Sequence, residues 1–299
     1  MSGGPPPEVA LESLDELWFQ VAGTLCNLAC SHCFVSCSPR NDEFGFLGLE
    51  TVRERLAEAR AAGVKEYYFT GGEPFLNPEM PAILEETLRQ GPATVLTNGT
   101  VLREALVDDL RDIAAGTRYS FEIRVSIDGY SREMNDPIRG QGAFDGAVRG
   151  LRLLARAGFL PILTAVQTWE DAETPSVLRA LEDLLRSAGC SRPRIKLMPT
   201  LRIGMEALRT RGYLPEERVT PEMMDGYDAG RLLCSRARMV TDRGVAVCPI
   251  LIETPGAHLG RTLAEADRPF AIGHDACWTC WVHGAICSNA GSFNTSAQF

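Results

Sequence analysis

Apolar and polar positions along the chain follow two rhythms. Short apolar runs have the length and the β-branched or aromatic content of strands: LWFQVAG (17–23), EYYFTGG (66–72), ATVLTNG (93–99), FEIRVSIDG (121–129), LPILTAVQT (160–168) and RIKLMPT (194–200). Between them lie stretches with helical spacing. These are LETVRERLAEARAAG (49–63), closed by a glycine, a Pro-initiated run to about 90, then 102–114, GAFDGAVRGLRLLARAG (142–158) and 174–188. Six strand–helix units with near-continuous apolar strands predict a parallel sheet covered by helices. Their regularity predicts an α/β fold, a partial (β/α)6 TIM-like barrel. An open doubly wound sheet is the alternative. Such folds place their chemistry at the carboxyl ends of the strands. Here those ends carry TGGEP (70–74), LTNG (96–99) and SIDG (126–129).

After about 205 the rhythm breaks. ARMVTDRGVAVCPI (237–250) reads as a β-hairpin turning at Asp242, Arg243 and Gly244, and a Pro/Gly-rich loop and a cysteine-rich tail follow. The expected organisation is a loose leader at 1–16, a barrel at 17–205 and an appended domain at 206–299.

Composition narrows the function. The chain has 299 residues, 45% hydrophobic and 23% charged, ample for a large core and a smaller appended domain. A net charge of −9 argues against nucleic acid or an anionic membrane as the main partner and is compatible with a small cationic substrate. No apolar run approaches a membrane span, and MSGGPPPEVALES lacks the basic and apolar regions of a signal peptide. Ten cysteines without a secretion signal point to a reducing, cytoplasmic setting and to metal-bound or reactive thiols.

The cysteines cluster at both ends. Cys26, Cys30 and Cys33 form C-x3-C-x2-C just after the first strand, with Cys37 close behind. Four thiolates would suit zinc. Three would suit a [4Fe–4S] cube with one iron left open. Joined to GGEP at Gly71, Gly72, Glu73 and Pro74, the trio resembles the radical S-adenosylmethionine enzymes over roughly residues 17–200.

That resemblance implies a [4Fe–4S] cluster on Cys26, Cys30 and Cys33 whose open iron binds S-adenosylmethionine. It also implies an external one-electron reductant of flavodoxin or ferredoxin type, and a 5′-deoxyadenosyl radical that takes a hydrogen atom from substrate. Gly71, Gly72 and Pro74 would shape the approach to the methionine part, and Glu73 would receive its ammonium. Thr97, Asn98, Ser126 and Asp128 would hold carboxylate and ribose. His32 stands where the family has an aromatic residue, so it packs on the adenine edge or is a plain loop imidazole. Gln167 and Met198 line the adenosyl pocket or merely pack. Cys37 becomes a loop thiol.

The tail, C234-x13-C248, then C277-x2-C280-x6-C287, is similar to the auxiliary-cluster appendage of the SPASM and twitch group. This implies one further [4Fe–4S] cluster, with structural zinc as the alternative. Five cysteines compete for four places. Cys277, Cys280 and Cys234 are expected as ligands, while Cys248 and Cys287 compete for the last. With Cys287 as ligand, Cys248 shares a strand face with Ala246 and Ile250 and faces the barrel mouth as a free thiol. The chain then resembles radical S-adenosylmethionine epimerases of aminoglycoside biosynthesis, in which a cysteine returns hydrogen to the opposite face of a sugar carbon. That role falls on Cys248. The rivals are a twitch-type dehydrogenase of an aminocyclitol alcohol, a peptide maturase, and a non-catalytic iron–sulfur or zinc protein. The short run before the first strand speaks against an added peptide-recognition module.

Overall fold

The computed structural model describes residues 4–287. Its elements run β1 (Glu8–Val9), β2 (Glu16–Gln20), α1 (Leu49–Ala62), β3 (Glu66–Thr70), α2 (Met80–Leu88), β4 (Ala93–Thr97), α3 (Glu104–Ala115), β5 (Phe121–Ser126), α4 (Arg132–Arg139), α5 (Ala143–Arg156), β6 (Ile162–Val166), α6 (Thr174–Ser187) and β7 (Ile195–Met198). The second part holds α7 (Gly204–Arg209), β8 (Ala237–Thr241), β9 (Gly244–Ala246), β10 (His258–Gly260), β11 (Phe270–Ala271) and α8 (Asp275–His283).

Strands β2 to β7 pair in parallel and in chain order. A doubly wound sheet reverses its order at a switch point. These six strands have no reversal, so the arc is a partial barrel. Glycine ends α1 as the sequence predicts: Gly63 takes φ 77° and donates its N–H to Ala59 and Arg60 carbonyls.

The hairpin predicted for the tail is present, though its paired part ends at Ala246. It extends the barrel's own sheet. Strand β8 runs parallel to β2, with Glu16 opposite Ala237 and Phe19 opposite Val240. The leader is tied down in part: Glu8 and Val9 pair antiparallel with Ala271 and Phe270. Helix α4 was not expected, because its REMNDPIR is polar and holds Pro137 inside the helix.

Strand β2 is buried along its whole length. Leu17 and Phe19 share one face by alternation, and Trp18 and Gln20 face the barrel cavity. Trp18 stacks on Tyr68 with centroids 4.2 Å apart, and Phe19 on Phe69 at 5.4 Å. Offset aromatic pairs add about 0.5–1.5 kcal/mol beyond area burial. Among the described residues no helix is long and apolar enough to cross a membrane.

Asn77 fixes the loop after β2 to the start of α2. Its side chain is buried and donates to the carbonyls of Val21 (2.8 Å) and Leu47 (2.9 Å), while accepting from Glu79 N–H (2.9 Å). Asn77→Ala strands these buried groups, at about 1–3 kcal/mol. The urea midpoint of the metal-free chain should fall accordingly; an unchanged midpoint contradicts the clamp.

Candidate active site

The loop after β2 carries the cysteine trio and docks by backbone contacts. Gly72 N–H donates to Gly23 O (2.9 Å) and Glu73 N–H to Leu25 O (3.1 Å). A Cβ on Gly72 would fall 1.9 Å from Leu25 O, and Gly71 takes φ 137°. Both glycines are therefore demanded by the cysteine loop itself, as well as by any ligand. On the far side, Ser31 N–H donates to Ile138 O (2.8 Å) and Met205 N–H to Cys33 O (2.9 Å).

Cys26, Cys30 and Cys33 line one cavity at the carboxyl ends of the strands. Two of these sulfurs already have donors, and the Cys30 thiol donates to Arg139 O (3.7 Å). Cys26 Sγ accepts from Leu28 N–H (3.4 Å) and Asn98 Nδ2 (3.7 Å), and Cys33 Sγ from Cys37 N–H (3.3 Å). Burial pushes Cys26 up to about 12 and Cys30 to about 11. Cys33 goes the other way, because the Cys37 thiol and the N–H groups of Cys37 and Val35 favour its thiolate. Cys37 thus supports Cys33 from behind.

Thr97, Asn98, Ser126, Met198, His32, Gly71 and Gly72 line the same cavity. Four expected residues lie elsewhere. Glu73 is fully buried, and its carboxylate accepts from Thr97 Oγ1 (2.7 Å), Asn98 N–H (2.7 Å) and Phe75 N–H (3.2 Å). It braces the β4 turn. Burial, opposed by those three donors, raises it to about 7. Pro74 is buried at the start of the short turn Pro74–Leu76. Asp128 is sealed under the cavity floor: its carboxylate meets Arg139 Nε (2.6 Å), His32 Nε2 (2.8 Å) and Val166 N–H (2.7 Å). Against the burial that would raise it, Arg139 and His32 hold it well below the usual carboxylate range. His32 is therefore oriented by its contact with the Asp128 carboxylate, and Asp128 acts by positioning it. Gln167 turns outward to Asp171 (2.6 Å).

The cavity also holds residues that motif reading passed over: Gln20, Thr164 and Arg139. Gln20 Oε1 and Thr164 Oγ1 are buried and have no hydrogen-bond partner among the described residues, so a ligand would satisfy them. Their signal in the sequence was a polar residue inside an apolar strand.

The tail cysteines fall into two places. Cys234, Cys248, Cys277 and Cys280 line one apolar cavity with Leu233, Val247 and Ile250. Cys277 and Cys280 stand one turn apart on α8. Cys287, expected beside them, instead lines the barrel cavity with the cysteine trio. Its carbonyl is gripped by Arg124 Nη1 (2.9 Å), from the buried interior of β5. Cys248 follows β9 after its pairing has ended, so strand alternation no longer governs where its side chain points.

Burial, then mutual repulsion, push Cys234, Cys248 and Cys277 upward, and burial alone lifts Cys280 to about 11. Such thiols ionise when a metal takes the proton's place. Among the described residues no three side chains converge closely enough to hold a single metal ion. Four thiols spread round an apolar cavity fit the corners of a cluster better than one zinc ion.

Residues 21–197 match the Radical SAM superfamily, and the chain belongs to that superfamily. Membership implies a [4Fe–4S] cluster and S-adenosylmethionine, and the thiol trio with its N–H donors fits them. Among curated proteins the chain is similar to the mycofactocin maturase MftC of Mycobacterium tuberculosis, 34% identical over 142 residues, 47% of this chain and 34% of that one. It is similar to the Fe-coproporphyrin III synthase of Methanosarcina barkeri, 29% identical over 161 residues, 53% of this chain and 39% of that one. The chain thus matches little more than a third of either relative's length. Of solved structures, Streptococcus suis SuiB bound to precursor peptide SuiA superposes with TM-score 0.60 at 16% identity, covering 96% of this chain and 69% of that one. Native anSMEcpe with bound AdoMet gives 0.59 at 18%, covering 84% and 80%. These likenesses establish the shared fold.

Two outcomes test the site. Cys30→Ala should abolish S-adenosylmethionine cleavage, while Cys37→Ala keeps iron and cleavage; iron loss in Cys37→Ala would make it a ligand. For Glu73, folding raises the carboxyl from 4.5 to about 7. Its stabilising effect is full below 4.5 and disappears as pH rises to about 7, a loss of roughly 3 kcal/mol. Glu73→Gln should remove that slope from the pH profile of unfolding free energy. Parallel profiles would mean that the carboxylate stays ionised beside a cation.

Proposed function

We propose that this radical SAM enzyme is an epimerase that inverts one C–H stereocentre, with Cys287 as hydrogen-atom donor. The observation that supports it is a thiol from the tail, Cys287, lining the same cavity as the cysteine trio while four other tail thiols gather apart. Cofactor bound at Cys26, Cys30 and Cys33 would supply the radical that removes the substrate hydrogen. Cys287 then gives its S–H hydrogen to the carbon radical: the S–H bond breaks, the C–H bond forms, and a thiyl radical remains. One electron from a flavodoxin- or ferredoxin-type reductant and one proton from solvent restore the thiol. Cys234, Cys248, Cys277 and Cys280 are proposed as ligands of an auxiliary [4Fe–4S] cluster in a domain spanning 206–299, of which 288–299 lie outside the described residues.

Two substrate classes serve this chemistry. A cationic aminoglycoside, epimerised as in the conversion of neomycin C to neomycin B, agrees with the net charge of −9. A peptide substrate is the second reading, and the comparisons favour it: one relative is named a maturase, and one solved neighbour binds a precursor peptide.

In deuterated water the inverted product should carry one solvent deuterium. Cys287→Ala should still form 5′-deoxyadenosine with substrate present but yield no inverted product. A product two mass units lighter, without deuterium, would instead make the chain a dehydrogenase. Assaying neomycin C and a candidate precursor peptide side by side separates the substrate classes.

A further inference from the structure

Arg238 lies in the middle of β8 and has no exposed surface. Its hydrogen bonds all go to backbone carbonyls. Nε donates to Ala266 (2.9 Å), Nη1 to Cys234 and Ala237 (both 2.7 Å), and Nη2 to Arg268 (3.1 Å). No carboxylate lies within ion-pair distance of it among the described residues; Asp267 acts on it from further off and is exposed. Four carbonyl dipoles solvate a guanidinium but leave its charge uncancelled. Arginine cannot shed its proton. A buried, unpaired charge costs several kcal/mol.

The charge has a destination. Arg238 holds the carbonyl of Cys234 directly, and Cys234 and Cys248 lie within its electrostatic reach. Two fully buried arginines are used alike: Arg124 holds the carbonyl of Cys287, and Arg238 that of Cys234. Four buried thiolates around one apolar cavity concentrate negative charge in a low-dielectric setting, where a nearby cation is felt strongly.

We propose that Arg238 is the built-in counter-cation of the four-cysteine cavity, and that its charge holds the cluster bound there at a higher reduction potential. This rests on reading that cavity as a cluster site. The cation stabilises the more negative, reduced form more than the oxidised one. It also lowers the cost of bringing the thiolates together. A carbonyl cap alone would need donors but no charge, so the two roles separate by substitution. Arg238→Gln removes the charge and keeps two N–H donors, while Arg238→Lys keeps the charge with three.

The test is a spectroscopic redox titration of the tail cluster in full-length reconstituted protein, with Cys30→Ala removing the overlapping barrel signal. In Arg238→Gln the reduced-to-oxidised ratio at a fixed potential should drop at least tenfold, equivalent to 59 mV for a one-electron couple. Arg238→Lys should titrate within threefold of the parent. Full iron with an unshifted potential in Arg238→Gln overturns this inference alone, and so do equal shifts in both variants. If Arg238→Gln holds no iron, Arg238→Lys decides: loading and titrating like the parent supports the charge role, and failing to load overturns it. A parent chain with iron in the barrel site alone overturns the cluster reading itself, and this inference with it.

Discussion

The structure depends on one backbone-to-backbone contact, the docking of the cysteine loop on the glycines that end β3. Gly72 and Glu73 N–H groups reach the carbonyls of Gly23 and Leu25, and a methyl group on Gly72 would collide with Leu25 O. This contact sets Cys26 at the mouth of the barrel. It also ties the first strand to the second at the level where the cofactor would sit. Without it, three thiols on a loop would have no fixed relation to Thr97, Asn98 or Ser126 on the neighbouring strands.

Beneath that contact, carboxylates act as braces. Glu73 collects donors from the next strand's turn, and Asp128 aligns His32 and Arg139 under the cavity. Each is sealed from solvent, and each takes its donors from elements distant in sequence. Buried carboxylates held by several groups in this way rigidify a site. Two oxygens without hydrogen-bond partners among the described residues, Gln20 Oε1 and Thr164 Oγ1, belong to residues of the cavity wall, where a bound ligand would complete them.

Much of this was legible from local pattern. The six strands and their order follow from apolar runs alternating with helical spacing, and the trio with GGEP marks the site. What was not legible depends on long-range geometry. Strand β8 pairs parallel with β2 across more than 200 residues, which no local rhythm announces. Helix α4 forms despite Pro137, on a segment whose Asp136 carboxylate receives the N–H groups of Gly142 and Phe144. Glu73 and Asp128 stand in the expected motifs, but whether a carboxylate faces in or out is a matter of rotamer and neighbours. The place of Cys248 depended on where β9 stops pairing, a boundary that alternation alone does not set.

The central claim is that the tail thiols divide into four around their own cavity and one in the barrel. Iron content of the reconstituted chain, measured for Cys248→Ala against Cys287→Ala, tests it most directly. The account predicts that Cys248→Ala loses the tail iron and Cys287→Ala retains the full complement of the parent. Full iron in Cys248→Ala with loss in Cys287→Ala would contradict it.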